Sequence, residues 1–162
     1  MNAGKARQAV STVVLGGLLT FSATAADLPY TGDGHMMIEP EALEWGGVGS
    51  MPEGAEIAVI EGDPSAEEPF TFRLRFPPEY QFAPHVHPEY ERVTVISGTL
   101  YFGHGEVFDR DAVRRLPEGS VAIMAPGEPM YGYTTNQETV IQLHGTGPWG
   151  IEYVNPADDP RR

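Results

Sequence analysis

From residue 57 onward, every apolar stretch of the chain is short and closes at or beside a glycine or a proline. Such punctuation leaves no room for a long helix and restricts the chain to short strands joined by turns. Residues 70–76 show the pattern most clearly. Phe70, Phe72, Leu74 and Phe76 alternate with Thr71, Arg73 and Arg75, the period of a half-buried strand, and Pro77 and Pro78 stop it. Residues 92–96 are rich in β-branched side chains and end at Ser97 and Gly98, with 99–102 following at hairpin spacing. Further strands are expected at 57–60, 120–124, 130–134, 139–143 and 151–154. A single helical turn is expected at 38–43, and a loop or short helix over 108–115. Roughly eight strands without a long helix predict an all-β fold, a closed antiparallel sandwich or barrel. The length of 162 residues, 41% of them hydrophobic, suits one domain with its own core, and no internal repeat is present.

The start of the chain reads differently. Lys5 and Arg7 precede an apolar run that includes Val13, Val14, Leu15, Leu18 and Leu19, and small residues follow at Ala23, Ala25 and Ala26. This is the pattern of a secretory signal peptide cleaved after Ala25 or Ala26. The run is too short, and too broken by Gly, Ser and Thr, to span a bilayer comfortably. The chain thus divides into a signal peptide (1–26), an N-terminal extension (27–56), a β domain (57–154) and a polar tail (155–162) that is expected to be loose. The mature part is expected in the periplasm or secreted.

Ten basic residues stand against 23 acidic ones, a net charge of −13. Such a surface repels phosphate backbones and anionic lipid heads, so nucleic-acid and membrane partners are not expected. Cysteine is absent, which excludes disulfides, thiol nucleophiles and iron–sulfur ligation. Lys5 is the one lysine, so the mature chain lacks the amine for a Schiff base or a phosphate-binding loop. No Gly-x-Ser-x-Gly elbow is present.

The chemistry-bearing stretch is Pro84-His85-Val86-His87-Pro88-Glu89-Tyr90-Glu91. In a strand, residues two apart share a face, so His85 and His87 point the same way. Two imidazoles suit a borderline divalent metal, and a carboxylate beyond the turn at Pro88 can close round the same ion. Two nitrogens and one anionic oxygen also match non-haem iron sites that keep open positions.

This stretch resembles the first sequence motif of the cupin family: His-x-His, three or four residues, Glu, six residues, Gly. Here those positions are His85, His87, Glu91 and Gly98. The motif's leading Gly falls on Glu79, at a position that shapes a turn. Gly119 and Gly127 keep the spacing of the second cupin motif, but Pro126 is shifted by one, Met130 takes the place of its histidine and Thr134 that of its asparagine. The resemblance covers residues 57–154. It implies a small double-stranded jelly-roll barrel holding one divalent metal ion, with Fe, Mn, Zn, Ni and Cu not distinguished. His85, His87 and Glu91 would be ligands, with Met130 at the fourth ligand position. A thioether is a soft, weak ligand that suits copper better than Mn or Fe(II), and equally it fills a core. Three arrangements stay open: three ligands and a water, a replacement ligand from His144, Glu128 or Tyr131, or a site that has lost its metal. The resemblance also leaves two functions open. One is a metalloenzyme, a dioxygenase, lyase or isomerase acting on a small organic molecule. The other is a non-catalytic module that binds a small ligand or a metal. Small cupins often pair as homodimers, but no exposed apolar strand marks an interface in this sequence.

The remaining candidates have plainer readings. His35 and His104 are expected in solvent. His144 ends an apolar strand, on one face with Val140 and Gln142, and is expected to face the barrel interior as a hydrogen-bonded core histidine. Tyr90, Tyr101, Tyr131 and Tyr133 are read as core aromatics before pocket residues, and Arg73 and Arg75 as a solvent-facing pair.

Overall fold

A computed structural model describes residues 28–162; the expected signal peptide at 1–26 lies outside the described residues. The described chain forms β1 (Gly46–Gly47), β2 (Glu56–Glu61), β3 (Pro69–Phe76), β4 (Gln81–Val86), β5 (Glu91–Ser97) and β6 (Thr99–His104). It continues with β7 (Arg114–Pro117), β8 (Val121–Met124), β9 (Met130–Tyr133), β10 (Thr139–Thr146) and β11 (Glu152–Tyr153). The only helical pieces among the described residues are 3-10 turns at Pro40–Ala42, Arg110–Ala112 and Pro156–Asp158. Two antiparallel sheets face each other, one in the order β1-β2-β3-β10-β5-β8 and the other β11-β4-β9-β6-β7. From β3 to β11 the chain changes sheet at every connection except β6–β7, which is a jelly-roll winding.

The core is the space between the sheets. Phe70, Phe72, Leu74 and Phe76 of β3 fill it from one side with Val93 and Val95 of β5 and Ile141 and Leu143 of β10. Phe82, Leu100 and Met130 fill it from the other. Each such side chain contributes about 1.5–3 kcal/mol by leaving water. The alternation in 70–76 is therefore the inward and outward faces of a central strand, with Arg73 and Arg75 outside, held to Gln142 and Glu56.

Four expectations are corrected. Residues 92–96 and 99–102 do not form a hairpin: β5 lies between β10 and β8 in one sheet, while β6 pairs β7 and β9 in the other. Gly98 alone separates the two strands, and a hairpin loop needs at least two residues. Gly98 (φ 81°) passes against the backbone carbonyl of Glu138, and Thr139 Oγ1 ties the corner by donating to Thr99 O at 3.1 Å. His144 is exposed: β10 turns Ile141 and Leu143 inward, so the face shared by Val140, Gln142 and His144 looks outward. The tail is fastened, because the Arg161 guanidinium donates to Ile151 O at 3.0 Å and to the Asp159 carboxylate at 2.7 Å. The sheet edge is also not free of apolar groups: Val121 and Ile123 on the edge strand β8 are 60% and 64% exposed.

Candidate metal centre

His85, His87 and Glu91 sit at the corner where the chain leaves β4 in one sheet and enters β5 in the other. A register shift between Phe82 and His85, at Pro84, rephases β4 so that Phe82 and His85 both face the interior. Bulges of this kind re-aim side chains beside functional sites, and they are where a strand tolerates proline. His87 lies just past the strand and is buried as well. Glu91 opens β5 on the inward face that it shares with Val93 and Val95. All three side chains line one internal cavity of about 30 Å³. Met130 lines it too; it is the direct cross-strand partner of His85 and is 1% exposed.

The backbone sets the histidine tautomers. His85 Nδ1 is 2.8 Å from Ala83 O, and His87 Nδ1 is 2.6 Å from Gly150 O. A carbonyl only accepts, so both rings carry hydrogen on Nδ1 and keep a lone pair on Nε2. Carbonyl partners of this kind orient metal-binding imidazoles. His87 Nε2 lies 3.6 Å from Glu91 Oε1, too far for a good hydrogen bond. Two donors bound about 2.1 Å from one ion stand roughly 3–3.5 Å apart, so that pair is close to a ligand spacing. The His85 and His87 rings are edge-on to each other, 4.9 Å between centroids. As the side chains stand, no three His, Asp or Glu groups among the described residues close on one point as a finished ligand shell does. Donor type, tautomer and burial suit a metal, while the spacing of the three groups does not form a closed ligand shell.

Burial dominates the electrostatics. Loss of water pushes the Glu91 carboxyl up to about 8, opposed by the Trp149 indole N–H. That N–H is buried without a hydrogen bond of good geometry. Burial lowers His85 to about 4 and His87 to about 3; for His87 the neighbouring His85 adds to the effect, and the carbonyl partners work against it. At neutral pH both imidazoles are thus neutral and the carboxyl holds a proton, so a metal entering this cavity displaces one proton.

Similarity to solved structures decides the fold. The polyketide cyclase RemF from Streptomyces resistomycificus matches with a TM-score of 0.64 at 14% identity, over 79% of this chain and 91% of that one. KdgF from Halomonas sp. matches at 0.55 and 16%, over 70% and 96%. An RmlC-like cupin from Shewanella frigidimarina matches at 0.54 and 12%, over 70% and 91%. The chain has the cupin fold. No family sequence model and no curated protein sequence matches it.

Within this fold the other predicted residues scatter. Glu128 and His144 are exposed and line no part of the inner cavity. Tyr131 is buried on the opposite face of β9 from Met130, its hydroxyl donating to Asp109 O at 3.2 Å. Tyr101 and Tyr133 stack at 4.9 Å under Arg110, on the outer side of the same sheet. Tyr90 is half exposed. Thr134, at the cupin asparagine position, is structural: its hydroxyl accepts from Tyr80 N and donates to Pro77 O. Two wall residues carry no sequence signal. Trp149 stacks on the His87 ring at 4.7 Å, and Met51 enters the cavity from the N-terminal extension. Neither is near the motif in sequence, so spacing could not find them.

Proposed function

We propose that this chain is a metal-binding cupin that holds one ion through His85, His87 and Glu91, with Met130 at the fourth position. The observation that carries the reading is the pair of buried imidazoles whose Nδ1–H groups are both taken up by backbone carbonyls, leaving both Nε2 lone pairs for a ligand in a cavity shared with a buried carboxyl. Holding an ion is favoured over turnover of an organic molecule by size. About 30 Å³ is room for an ion and one or two waters, far below the several hundred Å³ of a substrate pocket. A metalloenzyme is the second reading. What favours it is an open surface groove of about 550 Å³ in which His87 and Ile151 are wall residues, as they are of the inner cavity. Export after cleavage near Ala26 belongs to the same proposal, as does a second copy of the chain as partner at the β8 edge.

Elemental analysis of untagged protein purified without chelator tests the reading. The expected result is one metal ion per chain, lost in His85→Ala and in Glu91→Gln. Protein that takes up no stoichiometric metal after incubation with Mn, Fe(II), Zn, Ni and Cu overturns it. Oxygen uptake or loss of an organic substrate by the loaded protein would move the assignment to the enzyme.

A further inference from the structure

The donors that line the inner cavity are few, and two of the five are soft. Besides the imidazoles of His85 and His87 and the carboxyl of Glu91, its walls carry two thioethers, Met51 and Met130. The rest of the lining is Leu, Phe, Val, Ile and Trp, none of which ligates a metal. Met51 is not there as loose filling. Its segment is pinned on both sides, by Tyr153 Oη donating to Ser50 O at 2.9 Å and by Tyr80 Oη donating to Pro52 O at 2.7 Å. Tyr153 is also the direct cross-strand partner of His85, on the side away from Met130. The N-terminal extension is therefore anchored at the wall of the histidine cavity, and Met51 is 6% exposed.

Two physical arguments select among metals. Hard ions such as Mn(II) and Fe(II) favour six ligands, largely oxygen, and this cavity offers one carboxylate and space for one or two waters. Soft thioethers select Cu(I), which is content with two to four ligands and needs no water. We infer that this cavity is a copper(I) site in which the Met51 and Met130 thioethers bind beside His85 and His87, with the Glu91 carboxylate balancing the charge of the ion. The inference rests on the metal-binding reading above and deepens it by naming the ion and a ligand from outside the barrel.

Anaerobic competition of the full mature chain against bicinchoninate, with ascorbate present, measures Cu(I) affinity; a zinc dye measures Zn(II) in parallel. Met51→Leu and Met130→Leu keep volume and apolarity. Each is expected to weaken Cu(I) by about tenfold or more while leaving Zn(II) within about threefold, because zinc depends less on sulfur of this kind. Copper K-edge absorption of the wild type is expected to show sulfur beside nitrogen in the first shell, with less sulfur in Met51→Leu. A wild-type copper shell without sulfur, or Cu(I) affinity unmoved by both substitutions, overturns the copper inference even if His85-dependent zinc binding persists. If His85→Ala changes the binding of no metal at all, the metal-binding reading itself fails, and the copper inference with it.

Discussion

Glu79 occupies a conformation that costs it energy. Its φ is 59°, in the left-handed region where a Cβ crowds the backbone, and it is the one non-glycine residue with positive φ among those described. Its side chain is exposed, so nothing is lost with it. Relief of about 1–2 kcal/mol of strain outweighs the roughly 0.5–1 kcal/mol that glycine adds to the unfolded state's entropy. Glu79→Gly is thus expected to stabilise by about 0.5–1 kcal/mol, raising Tm by about 2–3 °C in a thermal melt. An unchanged or lower Tm would show that the turn relaxes by other means. This turn was legible in sequence, since the cupin pattern places glycine there. His85, His87 and Glu91 were legible because they lie within seven positions of one another. Met51 and Trp149 were not, because only the folded chain brings them to the cavity. Met130 is where the two kinds of signal meet: the motif marks its position, and its role depends on neighbours. Met130→His is expected to raise Mn(II) or Fe(II) affinity by at least about tenfold in a titration, by adding a harder nitrogen donor. Unaltered affinity would place residue 130 out of reach of the ion.

At the scale of elements, alternation located β3, because the two faces of that strand have distinct neighbours, while β-branched content located β5. It did less well where other forces act. β4 carries Pro84 and a register shift that brings Phe82 and His85 to one face, so no clean period survives. β7 is Arg-Arg-Leu-Pro, with Leu116 its one buried residue. Sheet membership was not legible at all. The one-residue link at Gly98 shows why: local sequence sets how sharply the chain turns, but the strand it joins depends on which partners remain unpaired. Gly98→Ala tests this corner. An added Cβ would meet the Glu138 carbonyl and Thr139 in a backbone conformation unfavourable to alanine. Strain and overpacking together should destabilise by about 3 kcal/mol, seen as a lower denaturant midpoint at unchanged slope. A loss below about 1 kcal/mol would mean that the corner is not fixed by this close approach.

For the whole molecule, the buried centre should make stability depend on pH in a particular shape. Glu91 is raised from its ordinary 4.5 to about 8, so between those values the folded chain keeps a proton that the unfolded chain has released. Stability therefore falls as pH rises through that window. His85 and His87 are lowered from 6.5 to about 4 and about 3, so below 6.5 the unfolded chain gains protons that the folded chain refuses. Their contribution is present above pH 6.5 and lost as pH falls. Between about 4.5 and 6.5, two histidines outweigh one carboxyl and the net slope is upward. Above 6.5 the carboxyl acts alone and the slope is downward, at up to about 1.4 kcal/mol per pH unit. The excess of acidic residues, with a net charge of −13, pulls the same way at high pH. Asp63 and Asp159, both lowered by hydrogen bonds, add only to the acid side. Protein stripped with EDTA and dialysed should thus show its highest Tm near pH 6.5, with a decline toward pH 8. A metal that takes the proton's place on Glu91 removes the cause of that decline, and binding to the folded state stabilises further by mass action. Saturating metal should therefore raise Tm more at pH 8 than at pH 6. An equal rise at both values would show that the ion does not compete with a proton on Glu91. A Tm of the stripped protein that climbs steadily to pH 8 would show that this carboxyl ionises freely in the folded chain, and with that the buried setting on which the proposed metal site rests would be gone.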